Sequence, residues 1–105
     1  MRKLRRCARD LVDDQPEVRR VLLFGSLARG EDGPRSDADI VVILSQSRHR
    51  RIFDRTHDFR PYFSPAHIPV DVLAYTEAEV ERMRSRGNPF MCQVLSEGVM
   101  LASAG

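Results

Sequence analysis

The strongest constraint on the fold is a set of short apolar runs, each cut off abruptly by polar breakers. Val21-Leu22-Leu23-Phe24 stops at Gly25-Ser26, and Ile40-Val41-Val42-Ile43 follows the loop Glu31 to Ser36 (EDGPRS). Runs this short, β-branched in the second case, read as buried strands rather than helices. The predicted strands are Val18 to Phe24, Ala38 to Leu44 and Val70 to Tyr75, the last preceded by a loop marked by Pro61, Pro65 and Pro69. Between them the periodicity turns helical. Leu4, Ala8, Leu11 and Val12 form one face of a helix over residues 3 to 14, ended by Gln15-Pro16 because the residue before proline is pushed out of the helical region.

Ser26 is positioned to cap a short helix through Leu27, Ala28 and Arg29, with Gly30 at its exit. Residues 46 to 60, polar apart from Ile52, Phe53 and Phe59, read as a helix with one weak apolar edge. Thr76 and Glu79 match a capping box, and the helix they open stops at Gly87, with Arg82, Arg84 and Arg86 at its negative end. Asn88-Pro89 starts another helix that turns Phe90, Met91, Val94 and Leu95 inward; Gly98 closes it and Val99-Met100-Leu101 forms a last strand. The order α-β-α-β-α-β-α-α-β predicts an α+β fold (an α/β-type layer), a small mixed β-sheet with helices packed on it.

Composition bounds the rest. A length of 105 residues predicts one domain over residues 1–105. With 42% hydrophobic and 30% charged residues the chain is expected to hold one core without staples. The balance of 17 basic against 15 acidic residues, +2, gives no argument for direct nucleic-acid binding or a membrane partner. No apolar run reaches the roughly 18–20 residues of a membrane span. The basic start MRKLRRCARD leads into no apolar stretch, and Cys7 and Cys92 show neither metal nor redox spacing. Reduced packing thiols and a cytoplasmic location are the expectation. His49, His57 and His67 lack ligand spacing, and Arg48, Arg50, Arg51, Arg55 and Arg60 read as a solvated face or a docking surface for acidic groups.

Three features carry chemistry. Gly25-Ser26 joins a buried strand to a helix start, where unpaired backbone N–H groups and the positive end of the helix dipole make a phosphate cradle. Asp37 and Asp39 flank Ala38 at the start of the second strand. Residues two apart on a strand share a face, and two close carboxylates are costly unless solvated or neutralised by a cation. A hard divalent ion with oxygen ligands, most simply Mg²⁺, fits. Asp71 interrupts the apolar run of the third strand and shares a face with Leu73; if the second and third strands are neighbours, it reaches the Asp37/Asp39 face. Each feature also has a plain reading: a turn, a polar strand entrance, and an aspartate paired with one of the many arginines. Three convergent carboxylates suit a two-metal site for phosphoryl or nucleotidyl transfer.

In combination, GSLARG (Gly25 to Gly30), Ser36-Asp37-Ala38-Asp39 and the later strand VDVL resemble the minimal nucleotidyltransferase branch of the DNA polymerase beta superfamily, with its GSxARG turn and SDxD motif. The resemblance runs from the first helix to the closing LSEGVML, with no departure at a motif position. It implies that Gly25 and Ser26 hold the β/γ-phosphates of a nucleoside triphosphate, and that Arg29 adds a charged contact, with Ser36 beside them in the nucleotide site. Asp37, Asp39 and Asp71 would bind two Mg²⁺ ions and form the catalytic set. Asp71 would help to activate an acceptor hydroxyl, as a base or through the metal.

The implied reaction is transfer of NMP, with ATP as substrate, to that hydroxyl. Members of this branch commonly pair with HEPN-domain proteins in toxin–antitoxin modules, which implies an antitoxin that adenylylates a tyrosine of its partner. The alternative is a non-catalytic antitoxin that acts by occlusion. A small-molecule (antibiotic) nucleotidyltransferase is disfavoured, since those enzymes carry an added acceptor-binding domain. Without Asp37, Asp39 and Asp71 the chain holds 17 basic and 12 acidic residues, so metal binding would leave a more basic working surface.

Overall fold

The computed structural model describes residues 2–25 and 38–104. Helix α1 (Arg2–Asp14) leads to strand β1 (Val18–Phe24), followed by β2 (Ala38–Leu44), α2 (Ile52–Phe59) and a 3-10 helix (Arg60–Ala66). Strand β3 (Val70–Thr76), helices α3 (Glu77–Ser85) and α4 (Pro89–Glu97), and strand β4 (Val99–Ser103) complete the order. The predicted short helix after Ser26 lies outside the described residues.

Among the described residues the strands form one four-stranded mixed sheet in the order β3-β2-β1-β4. β1 runs antiparallel to β2 and β4, and β2 runs parallel to β3. The parallel pair needs a crossover, which α2 and the 3-10 helix supply. The expected α+β architecture, a small mixed sheet carrying helices, is what the chain adopts.

Both faces of the sheet are covered, and strand alternation sorts the residues between them. Leu4, Cys7, Ala8, Leu11 and Val12 of α1 pack with Ala38, Ile40, Val42 and Leu44 of β2, joined by Phe59 and Phe63. On the opposite face Leu22, Val41, Ile43 and Tyr75 meet Val80 of α3 and Met91 and Val94 of α4. Asp39 and Asp71 belong to this second face, two residues before Val41 and Leu73 respectively.

Local signals set the helix ends. Thr76 Oγ1 accepts from Glu79 N at 3.2 Å while Thr76 N donates to Glu79 Oε1 at 2.8 Å, the predicted capping box. At the other end of α3, Gly87 N donates to Arg84 O and Asn88 N to Met83 O, the Schellman arrangement. Asn88 Oδ1 then accepts from Met91 N at 2.9 Å and caps α4, with Pro89 as its first residue.

Three boundaries differ from expectation. The helix predicted over 46–60 begins only at Ile52, because the carbonyls of His49 and Arg50 accept from the Arg55 guanidinium instead of from a helical turn. The stretch after Arg60 is a 3-10 helix rather than a plain loop. Proline suits its first turn, and the three-residue period puts both Phe63 and Ala66 into the core. The last strand extends to Ser103 because β1 offers it a full antiparallel partner.

Candidate active site

The site is built where β1 ends and β2 and β3 begin. Gly25 leaves β1 with φ +85, a conformation open mainly to glycine. A Cβ on Gly25 would lie 2.4 Å from Asp39 Oδ2, so the carboxylate rests directly against a backbone with no side chain. Gly25 is therefore required twice, by its dihedral and by the close approach.

Asp39 lies opposite Phe24 in the β1–β2 ladder and beside Asp71 in the β2–β3 ladder. Neighbouring strands are about 4.8 Å apart, so the two carboxylates rise side by side from one face. Ala38 N donates to Pro69 O at 2.9 Å and fastens the start of β2 to the approach of β3. Thr56 Oγ1 donates to Val72 O at 2.8 Å and Arg55 Nη1 to Ala74 O at 3.1 Å, so α2 grips β3 immediately beyond Asp71.

Asp39 is half-buried and Asp71 is exposed. Asp71 forms no side-chain hydrogen bond or ion pair among the described residues, so pairing with an arginine does not account for it there. Two adjacent carboxylates repel each other, and nearby positive charge or water must offset that cost. Hard oxygen donors placed this way fit a divalent cation such as Mg²⁺. Of the predicted site residues, the structure brings together Gly25, Asp39 and Asp71. Ser26, Arg29, Ser36 and Asp37 lie outside the described residues.

Sequence reading missed Arg55. Its side chain is only 4% exposed, not part of a solvated face. It makes a forked contact with Glu79, Nη1 to Oε1 at 2.6 Å and Nη2 to Oε2 at 3.3 Å. This guanidinium holds the Glu79 carboxyl below the ordinary carboxylate range. The available signal was spacing: Arg55 falls between Ile52 and Phe59 on the inward stripe of α2. Cys92 also departs from its expected packing role, being exposed, whereas Cys7 is buried and its thiol is pushed up by burial. A polar cavity of about 640 Å³ opens at the far end of β2, beside Leu44, Arg48, His49 and Asp58. His49 Nε2 and Asp58 Oδ2 pair there at 3.0 Å, away from the Asp39/Asp71 end of the strand.

Residues 1–91 match the family model described as a nucleotidyltransferase domain. The chain belongs to the nucleotidyltransferase-domain family. No curated protein matches it in sequence. Among solved structures it is similar to a candidate nucleotidyltransferase from Sulfolobus solfataricus, with a TM-score of 0.67 and 20% identity over 97% of this chain and 78% of that one. A toxin–antitoxin structure with AMP-PNP gives a TM-score of 0.66 and 24% identity, covering 95% of this chain and 73% of that one. A tri-AMPylated Shewanella oneidensis HEPN toxin in complex with an MNT antitoxin gives 0.59 and 21%, covering 97% and 71%. At these identities the likeness establishes a shared fold, and the nucleotidyltransferase assignment rests on the family model. No helix among the described residues is long and apolar enough to cross a membrane.

Proposed function

We propose that residues 1–105 act as one Mg²⁺-dependent nucleotidyltransferase domain that moves AMP from ATP to a tyrosine hydroxyl of a HEPN-domain toxin, as its antitoxin. The observation that carries this reading is the register of Asp39 with Asp71, one residue from the bare backbone of Gly25. The fold neighbours support the partner, since one holds AMP-PNP in a toxin–antitoxin complex and another an AMPylated HEPN toxin with its antitoxin.

In the proposed mechanism Gly25 and Ser26 hold the β- and γ-phosphates, with Arg29 and Ser36 beside them. Asp37, Asp39 and Asp71 would hold two Mg²⁺ ions, which supply charge neutralisation on the triphosphate and acidify the acceptor hydroxyl. Asp71 would orient that hydroxyl and activate it, taking its proton as a base or lowering its pKa through the metal. The new O–P bond forms at the α-phosphorus as the α–β bridging bond breaks and pyrophosphate leaves in line. Most of the rate would come from positioning and preorganised charge rather than covalent work by the protein.

The test is transfer from ATP labelled at either the α- or the γ-phosphate, in Mg²⁺, to the product of the adjacent gene. The expected result is α-label on a partner tyrosine and no γ-label. Binding of the two proteins with no α-label on the partner would reject transfer and favour occlusion; γ-label would make the reaction a phosphorylation. Chelation of Mg²⁺ is expected to abolish the signal.

A further inference from the structure

The outer face of α1 carries its charges in the wrong order for a lone helix. Arg2, Arg5 and Arg6 crowd its first turns and Asp10, Asp13 and Asp14 close it, all of them exposed. No acid stands in the first turn and no base in the last. The helix dipole is positive at the start and negative at the end, so both groups of charge oppose it.

The spacing of those charges supplies a reason. Arginines stand at positions 5, 6 and 9 and aspartates at 10, 13 and 14, the same intervals in opposite directions from a point between Arg9 and Asp10. Turning the helix end for end about that point lays Arg9 level with Asp10, Arg6 with Asp13 and Arg5 with Asp14. Such a helix is complementary to an antiparallel copy of itself, as a two-fold interface requires. In that pair the aspartates of each copy stand at the positive end of the other, which offsets the opposition to the dipole in both.

The face is open to a partner. α1 packs its opposite stripe, Leu4, Ala8 and Leu11, into the core. Arg6 and Asp10 form no hydrogen bond or ion pair among the described residues. Arg9 approaches Asp13 of its own helix at 3.8 Å, and Arg5 and Arg9 each give one Nη1 to a carbonyl of β4. A guanidinium has five N–H donors, so these contacts leave others to give. They also hold two arginines in place, which lowers the entropy lost on association.

We infer that α1 pairs antiparallel with α1 of a second copy, basic half on acidic half, and makes the chain a homodimer. A partner carrying charge of one sign would match one half of this face and repel the other. A single exposed ion pair contributes little, but here the two-fold axis repeats each level of opposite charge. α1 covers the first face of the sheet and Asp39 and Asp71 rise from the second, so both sites stay open in the pair.

The test is sedimentation equilibrium of the full chain. A dimer is expected at low salt, dissociating as ionic strength rises and screens the exposed charges. Arg6→Asp and Asp13→Arg each set like charges level with one another and are expected to weaken dimerisation about tenfold or more. Both changes suit the helix dipole, so each variant is expected to stay folded, checked by thermal unfolding. An equimolar mixture of the two restores opposite charges at both copies of that level and is expected to dimerise like the unaltered chain. A chain that stays monomeric at low salt, reversals that leave the dimer intact, or a mixture that remains monomeric would overturn the inference. A monomeric chain that loses binding to the product of the adjacent gene in Arg6→Asp would overturn it too, and would assign the basic half to that partner.

Discussion

At the scale of single residues, Gly25 and Asp39 form one unit. Gly25→Ala must adopt a left-handed backbone, at about 1–2 kcal/mol, and its Cβ would press on Asp39 Oδ2. The expected outcome is a modest fall in thermal stability and a far larger loss of transfer, measured on the same preparation. A stability loss with full activity would separate the turn from the site. Much of this was legible in sequence. Gly-Ser at the end of an apolar run and Asp71 inside another are both violations of a plain strand, and such violations mark function. Arg55 was legible only as a position on the inward stripe of α2, because four other arginines surround it and its pairing depends on where Glu79 comes to lie.

At the scale of elements, Glu79 does two jobs. Its carboxylate closes the capping box of α3 and also receives the fork of Arg55 from α2, so one side chain ties two helices to β3. Arg55→Leu removes one partner of a largely buried pair and is expected to destabilise the fold by about 3 kcal/mol, read by denaturant unfolding. The same contact sets an acid limb. The folded carboxyl of Glu79 lies below its ordinary value of 4.5. Its stabilisation is therefore complete above that value and is lost as pH falls through the lower folded one. Stability measured from pH 6 downward should fall less steeply in Glu79→Gln than in the unaltered chain. The capping box itself was readable from Thr76 and Glu79, whereas the late start of α2 was not. Its missing first turns reflect carbonyls committed to Arg55, a tertiary contact that local propensity does not encode.

At the scale of the whole molecule, the sheet order makes the site. β2 is central, and its antiparallel neighbour brings Gly25 and its parallel neighbour brings Asp71 to the same end. Exposed strand edges invite pairing with other chains, and polar side chains cover both here. Thr56 and Arg55 bond carbonyls of β3, and Arg5 and Arg9 bond Met100 O and Ser103 O of β4. Sequence periodicity gave the strands and their faces, but the neighbour relation of β2 and β3 stood only as a condition there. The two thiols provide a simple check of the packing. Cys92 should react with a thiol reagent in the native protein, and Cys7, buried with a raised pKa, only on unfolding.

If Asp39 and Asp71 act together as the proposed transfer site, a double-variant cycle on α-label transfer will show it. Asp39→Asn and Asp71→Asn should each reduce transfer about 10²–10³-fold, the scale for removing one preorganised charge-stabilising group. Because the two serve one site, the double variant should be little worse than either alone. Transfer that survives in the double variant at near the unaltered rate would contradict the account.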